Sequence, residues 1–198
     1  MSHLFETIRL QDGELQNLEY HESRMNKSRK ELFRVSDRIM LHPSILIPVD
    51  CKMGIFKCKV VYGTDIQNIT FEPYVARKIK SLRLVEDNTI TYNYKYTDRD
   101  RLNELLTKRG ECDDILIVKN GFVTDTSFSN IVFYDGSDWV TPATPLLQGT
   151  MRSYLLDKKY VLEKEIKLGD LNLFQKARLI NAMLPLEKGT DISVANIL

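Results

Sequence analysis

The sequence predicts an α+β fold in two lobes, and three observations carry that prediction. Short apolar or alternating runs of strand length recur along the chain, punctuated by the tight-turn pairs Asp12-Gly13, Asn120-Gly121 and Asp135-Gly136. Leu18–Phe33 and residues 98–108 instead repeat their apolar side chains with helical period. The third observation is length, since 198 residues allow one larger domain or two small ones, each able to bury a modest core.

Residues 4–10 read as a strand that ends in the Asp12-Gly13 turn. Leu18, Met25 and Leu32 repeat on one face of the first helix, with charges elsewhere. Pro43 and Pro48 interrupt an apolar stretch, so 35–50 is expected to be loop with a short helix. Residues 54–62 alternate as a strand that Gly63 stops, and 68–74 and 81–85 give two more with an irregular break between them. The segment 89–96 is rich in tyrosine, and Leu102, Leu105 and Leu106 then set the face of the next helix. Residues 114–119 form an apolar strand that returns through Asn120-Gly121 into Phe122 and beyond. Residues 130–134 and 139–141 extend this meander of short strands. Thr144-Pro145 and Gln148-Gly149-Thr150 break the sheet before a short helix at 151–158. Strands at 160–166 and 178–184, with a helix at 168–175 between them, close the chain. The expected lobes are a smaller N-terminal one at 1–94 and a second at 97–198, with no internal repeat.

Composition narrows the function classes. Apolar residues make up 43% and charged residues 28%, as in an ordinary soluble globular protein. A net charge of +1 gives no basic footprint for nucleic acid or for an anionic membrane surface. The cluster Arg24, Lys27, Arg29, Lys30 and Arg34 is offset by Glu19, Glu22, Glu31 and Asp37 and reads as a solvated helix face. No signal-peptide core and no apolar run of membrane-spanning length is found. Cys51, Cys58 and Cys112 are odd in number and lack metal-ligand spacing, which fits a reducing cytosol. With only His3, His21 and His42 present, a histidine metal site or a Ser-His-Asp triad finds little support.

The run from Gly121 to Arg152 holds the most information. Its Gly149-Thr150 pair opens a helix, where free backbone N–H groups and the positive dipole end suit an anion such as phosphate. On the residues alone, Thr150 reads first as an ordinary helix cap, since most caps bind nothing. The order Val123-Thr124-Asp125, Asn130-Ile131-Val132, Thr141-Pro142 and Gly149-Thr150-Met151-Arg152 resembles the cofactor signature of the class IV aminotransferases. That family pattern is roughly V-x-E-x-x-x-x-N-(I/L)-(F/V), a hairpin, T-P, and then G-(I/T)-x-R at a helix start. Leu4-Phe5-Glu6-Thr7-Ile8-Arg9 is similar to the family's F-E-T-I-R strand, His21-Glu22-Ser23-Arg24-Met25 to its H-x-x-R-L helix, and Asn181-Ala182-Met183 to its C-terminal strand element. The resemblance therefore spans nearly the whole chain. It implies the two-lobed fold type IV architecture of D-amino-acid aminotransferase, with mixed sheets, short helices and pyridoxal 5'-phosphate (PLP) as cofactor.

The resemblance also implies roles. Lys95, in Tyr94-Lys95-Tyr96-Thr97-Asp98-Arg99 ahead of a helix, holds the place of the Schiff-base lysine, which must be partly desolvated to be neutral and nucleophilic. Tyr92, Tyr94 and Tyr96 are expected to surround it, and Lys108 and Lys119 are its nearest competitors. Asp125 stands where the family carries glutamate against the pyridine nitrogen, a shorter carboxylate for the same task. Arg24, Gly149 and Thr150 are expected to hold the phosphate, while Ser129 or Asn130 orients the motif strand, Asn130 being equally readable as a turn-closing residue. Arg77, Arg99 and Arg101 are open candidates for a substrate carboxylate. Family members usually carry a further strand and a D-R-G turn ahead of F-E-T-I-R, so a trimmed small domain is expected.

The implied activity is that of a PLP enzyme acting on a small-molecule amine, with a homodimer implied by the family. The short start and compact size look most like 4-amino-4-deoxychorismate lyase, which releases 4-aminobenzoate and pyruvate for folate biosynthesis. A branched-chain or D-amino-acid transaminase stays open, as does a degenerate member that binds PLP without catalysis.

Overall fold

The computed structural model describes residues 3–198. Its contacts divide the chain into two compact units, and the chain passes between them more than once. The first unit comprises Met1–Ala76 with Tyr94–Asp98, and the second Arg77–Asn93 with Arg99–Leu198. The sequence reading placed one boundary at 94–97. The difference has a pairing origin. β5 (Leu82–Glu86) runs parallel to β6 (Asp114–Lys119) in the second unit, and so draws the segment from Arg77 onward with it. Tyr94–Asp98 instead returns to the first unit, where the Phe5 N–H donates to the Lys95 carbonyl at 3.0 Å and the Thr97 N–H to the His3 carbonyl at 2.9 Å.

The first unit is a four-stranded antiparallel sheet in the order β2-β1-β3-β4. Its strands are β1 (Leu4–Gln11), β2 (Glu14–Leu15), β3 (Ile55–Tyr62) and β4 (Ile66–Pro73). Helix α1 (Leu18–Phe33) and the single turn α2 (Leu41–Ser44) complete it. The alternation of β1 and β3 sends Leu4, Ile8, Cys58, Val60 and Tyr62 into a core shared with Met25, Leu41 and Ile45. The fully buried face of α1 is more polar than its sequence suggests, consisting of His21, Met25, Ser28 and Arg29. Leu18 and Leu32 pack only at its margin.

Arg29 overturns the expectation that the basic cluster is uniformly solvated. It is wholly buried, and its guanidinium donates to the Thr64 carbonyl, the Asn26 side chain and both the carbonyl and carboxylate of Asp37. A buried arginine persists where its donors find acceptors in this way.

The second unit holds two sheets, β5-β6-β7 and β10-β9-β8-β11-β12. Their remaining strands are β7 (Phe122–Thr126), β8 (Asn130–Tyr134), β9 (Trp139–Pro142), β10 (Leu162–Lys164), β11 (Lys176–Ile180) and β12 (Ile192–Ser193). β6 is buried on both faces, which is why its sequence is a continuous apolar run. Ile115 and Ile117 face Leu102 and Leu105 of α3 (Asp100–Leu106), while Leu116 faces a core with Val123, Ile131, Phe133 and Leu179. Helix α4 (Thr150–Asp157) packs Met151 and Leu155 against Val132 and Ile180. The Asn120-Gly121 hairpin forms as expected, with both residues at positive φ (52° and 81°) as that turn requires.

Three boundaries differ from the sequence reading. The strand expected at 160–166 shrinks to β10, because α4 ends in a left-handed Lys159 (φ 58°) whose successor Tyr160 donates back to the Leu155 carbonyl. The helix expected at 168–175 is a short 3-10 segment at Leu168–Leu173. The strand expected at 178–184 starts earlier and stops at Ile180, because Asn181 and Leu184 bond each other's backbones and close a turn. Among the described residues, no helix is long and apolar enough to cross a membrane, and no group of His, Cys, Asp or Glu suits a metal ion.

Phe133 is the anchor of the second unit's core, fully buried with its ring 5.0 Å from that of Phe174. Phe133→Ala should cost ~3–5 kcal/mol of unfolding free energy through lost transfer and an unfilled cavity. Urea denaturation followed by circular dichroism measures this, and a loss below ~1 kcal/mol contradicts the packing described.

Candidate active site

Four of the residues singled out from sequence, Asp125, Asn130, Gly149 and Thr150, lie in the second unit, and hydrogen bonding and close packing join three of them. β7 ends with Asp125 and Thr126, and β8 begins at Asn130. The turn between them is closed by Thr126, whose N–H donates to the Ser129 carbonyl at 2.9 Å. The Thr126 hydroxyl accepts from the Ser129 N–H at 3.1 Å. This short connection returns Asn130 toward Asp125, and the Asn130 amide donates to Asp125 Oδ1 at 2.7 Å.

Both side chains then grip the backbone of one residue, Leu147, on the loop before α4. Asp125 Oδ2 accepts the Leu147 N–H at 2.9 Å, and the Asn130 amide donates to the Leu147 carbonyl at 2.9 Å. Leu147 lies two residues before Gly149, which caps α4. The clamp thus fixes the start of that helix relative to the β7–β8 turn. Gly149 is required by close approach, because a Cβ placed there would lie 1.9 Å from Asn130 Oδ1. Thr150, the first residue of α4, is buried.

Arg152 supports this loop from beneath. It is buried and donates to Pro142 O at 2.8 Å and to Gln148 Oε1 at 2.9 Å, so one guanidinium ties together both ends of the 142–148 segment. Thr141 is also buried, its hydroxyl donating to the Ile131 carbonyl at 2.9 Å. The T-P and G-T-M-R elements of the sequence are therefore largely scaffolding for the Asp125 carboxyl and the α4 N-terminus.

Burial pushes the Asp125 pKa up to about 6, opposed by the Leu147 N–H, the Asn130 amide and the Arg152 charge. Each carboxylate oxygen has two lone pairs and spends one here, so the acid retains acceptor capacity for a bound group. A buried carboxyl and a helix N-terminus opened by glycine and threonine are donors and acceptors suited to a protonated ring nitrogen and a phosphate.

Arg24 and Lys95 lie in the first unit. Arg24 is bound by the fully buried Glu6, donating from Nε at 2.9 Å and from Nη2 at 2.5 Å. His21 adds a third contact to the same carboxylate, Nδ1 to Oε2 at 2.7 Å. The Lys95 ammonium lies 4.7 Å from the centre of the Phe5 ring, and its charge is felt by His21. Tyr94 and Tyr96 pack against the first unit's core beside it, whereas Tyr92 packs in the second unit. Of the competing lysines, Lys119 donates to the Ile90 carbonyl at 2.6 Å and Lys108 lies in the 3-10 turn after α3.

Among the candidate arginines, Arg101 is held by Asp87 at 2.7 Å and Glu104 at 2.6 Å. Arg99 donates through Nη2 to the Ser127 carbonyl, and its buried Nε has no hydrogen-bond partner among the described residues. Arg77 lies over the Phe128 ring at 5.9 Å. Arg99 and Arg77 therefore both border the β7–β8 turn.

Sequence reasoning quoted Glu6 and His21 within motifs but did not pair them. The available signal was strand alternation, which sets Glu6 on the same inward face as Leu4 and Ile8. Asn181, marked in the sequence as part of the C-terminal motif, donates its amide to Ser129 Oγ at 2.7 Å and accepts the Met183 N–H at Oδ1.

Comparison with known proteins finds relatives over most of the chain. Residues 66–188 match the family model described as amino-transferase class IV. An uncharacterized protein of Haemophilus influenzae is 35% identical over 182 residues, covering 91% of this chain and 97% of its own. A provisionally named aminodeoxychorismate lyase of Schizosaccharomyces pombe is 30% identical over 196 residues, covering 91% of this chain and 82% of its own. The crystal structure of a provisionally named 4-amino-4-deoxychorismate lyase of Haemophilus somnus superposes with a TM-score of 0.88 at 34% identity, covering 94% of this chain and 98% of that one.

Two outcomes follow from the clamp. Gly149→Ala should destabilise by ~2 kcal/mol through overpacking and Asn130→Ala by a similar amount. The double variant should cost at least ~1 kcal/mol less than their sum, because removing Asn130 vacates the space the new methyl needs. Additive urea-denaturation energies would contradict the contact. The second outcome concerns protonation. The Asp125 pKa lies near 6 when folded against 3.8 ordinarily, so the folded chain binds this proton more tightly. The group's contribution to stability is then fully present below 3.8 and is lost as pH rises through about 6. A carbon-detected NMR titration should give an Asp125 midpoint near 6, and a midpoint below 4 would refute the burial effect.

Proposed function

The chain belongs to the class IV aminotransferase family, and on that premise we propose that it is a PLP-dependent enzyme, specifically a 4-amino-4-deoxychorismate lyase. Members of this family depend on PLP. When bound, the cofactor supplies an electron sink for the bond-breaking carbon of an amine substrate. The observation that carries the reading is the Asp125–Asn130–Leu147 clamp, which presents a buried acid and an anion-ready helix start from one rigid framework.

Each residue then has a task set by its chemistry. Lys95 is the covalent anchor, and its amine receives and returns the proton at the amine-bearing carbon. Asp125 keeps the ring nitrogen protonated, and the positive charge it faces repays the cost of burying a carboxylate. Asn130 holds Asp125 in place and is not itself a proton donor in the reaction. Gly149 and Thr150 offer backbone N–H groups and a hydroxyl to the phosphate, and Arg24 offers its planar fork. The Asp125 carboxyl is held in one orientation by two hydrogen bonds from the scaffold.

The choice of lyase is supported by the two relatives, at 30% and 34% identity, whose names carry that activity. On 4-amino-4-deoxychorismate, loss of the ring proton with expulsion of the enolpyruvyl group yields 4-aminobenzoate and pyruvate.

After addition of PLP and dialysis, the wild type should retain a near-visible absorbance band that borohydride traps irreversibly. Lys95→Ala should lose it, with at least a ~1,000-fold fall in 4-aminobenzoate release. A band trapped equally in the variant would move the anchor to another lysine. Amino-group transfer to a keto acid, with no 4-aminobenzoate formed, would replace the lyase by a transaminase.

A further inference from the structure

β6 begins with an acid on a face that is otherwise core. Asp114 stands two residues before Leu116 on the same side of the strand, and it is only 1% exposed. Neither of its carboxyl oxygens has a hydrogen-bond partner among the described residues. The groups around it are apolar or already committed. Leu82, its neighbour on β5, is apolar. Thr126 lies beside it, but that hydroxyl donates to the Ser129 carbonyl and accepts the Ser129 N–H. The adjacent Asp113 is turned to the N–H groups of Lys80 and Ser81, which it accepts at 2.7 and 3.1 Å.

The acid without a partner has a counterpart in the same unit. Arg77 is exposed, lies over the Phe128 ring at 5.9 Å, and makes no ion pair among the described residues. Its positive charge is felt by Asp114. A small cavity beside it, lined by Ile79, Leu179, Leu184 and Thr190, gives the side chain room to move. The other cation here, Arg99, is engaged by the Ser127 carbonyl. Asp114 and Arg77 thus meet the β7–β8 turn at adjacent residues, the first at Ser127 and the second at Phe128. That turn carries Asp125 at one end and Asn130 at the other.

We propose that Asp114 and Arg77 form a pH-operated latch on the β7–β8 turn. The neutral acid leaves Arg77 on the Phe128 ring, whereas the carboxylate draws Arg77 to itself and loosens the turn. A buried carboxylate without a partner is costly, and the acid form avoids that cost. Burial raises the Asp114 pKa from 3.8, opposed by Ser127, the Ile115 N–H, Thr126 and Arg77. The folded chain therefore holds this proton more tightly than the unfolded one. The group's contribution to stability is fully present below 3.8 and is lost as pH rises through the folded value. Pairing with Arg77 recovers part of the loss at the expense of the contact with Phe128. The latch acts on the Asp125–Asn130–Leu147 ring through the turn itself, and it stands whether or not the chain binds PLP.

The test compares the full-length wild type with Asp114→Asn, a neutral isostere, and with Arg77→Met, from about pH 4 to about pH 8. The Leu147 N–H reports on the ring, because Asp125 holds it. Near the upper pH it should exchange with solvent roughly tenfold faster in wild type than in Asp114→Asn, the equivalent of one pKa unit of coupling. Near the lower pH the two rates should be equal. Asp114→Asn should also melt at least ~2 °C above wild type at the upper pH alone. A carbon-detected NMR titration of the wild-type Asp114 carboxyl should give a midpoint above 3.8, and Arg77→Met should raise it further. That titration carries the test if Asp114→Asn does not fold. A midpoint at or below 3.8 overturns the latch, as does one that Arg77→Met leaves unmoved. So does a Leu147 exchange rate with the same pH profile in wild type and Asp114→Asn.

Discussion

The second unit is organised by a single ring of hydrogen bonds in which Asp125 and Asn130 hold the backbone of Leu147 by both its N–H and its carbonyl. Buried polar groups are costly when unpaired and rigid when fully paired. Here each satisfies the next, so the two sides of the β7–β8 turn and the loop before α4 are locked into one arrangement. The absence of a side chain at Gly149 follows from it, since Asn130 occupies the space a Cβ would need. The burial of Arg152 follows as well, because the loop that the ring holds must also be secured at its other end. Burial raises the pKa of Asp125, and the ring's own hydrogen bonds oppose that rise.

The first unit solves a similar problem with charge. Replacing a buried ion pair by apolar residues is often neutral or stabilising, so such a pair is poor evidence of stability for its own sake. Glu6 and Arg24 make better sense as a means of fixing direction, since bidentate contact defines the plane and edge of the guanidinium. Arg29, on the same helix, shows the contrasting use. Its fully buried guanidinium is spent on Asn26, Asp37 and the Thr64 carbonyl, and serves to tie down the chain after α1.

Much of the fold was legible because periodicity reports burial. The bounds of α1 and the Asn120-Gly121 hairpin agree with the pattern. β6 reads as an apolar run because both of its faces are covered. The failures lie where backbone bonding outweighs pattern. Residues 181–184 look like strand, yet the Asn181 side chain and backbone close a turn there. Residues 160–166 look alike, but a left-handed Lys159 delays the strand. Arg29 reads as surface because charge in sequence does not reveal whether acceptors await it in space. For the site, the ordered motif marked Asp125, Asn130 and Gly149, since their spacing along the chain is itself a sequence property. The pairing of Glu6 with His21 was not legible, because it depends on the two facing each other across β1 and α1.

The sequence by itself determined the family, the α+β character, and the order in which the motif elements are met along the chain. Those properties are local or sequential, set by side-chain period, turn chemistry and spacing. Only the tertiary structure decided which acceptor each buried donor meets: Leu147 for Asn130, Glu6 for Arg24, Ile90 for Lys119. It also decided that the chain crosses between its two units at Arg77, Tyr94 and Arg99 instead of once. The physical reason is common to both. Hydrogen-bond partners and strand neighbours are chosen by position in space, and residues far apart in sequence compete for them only after the chain has folded.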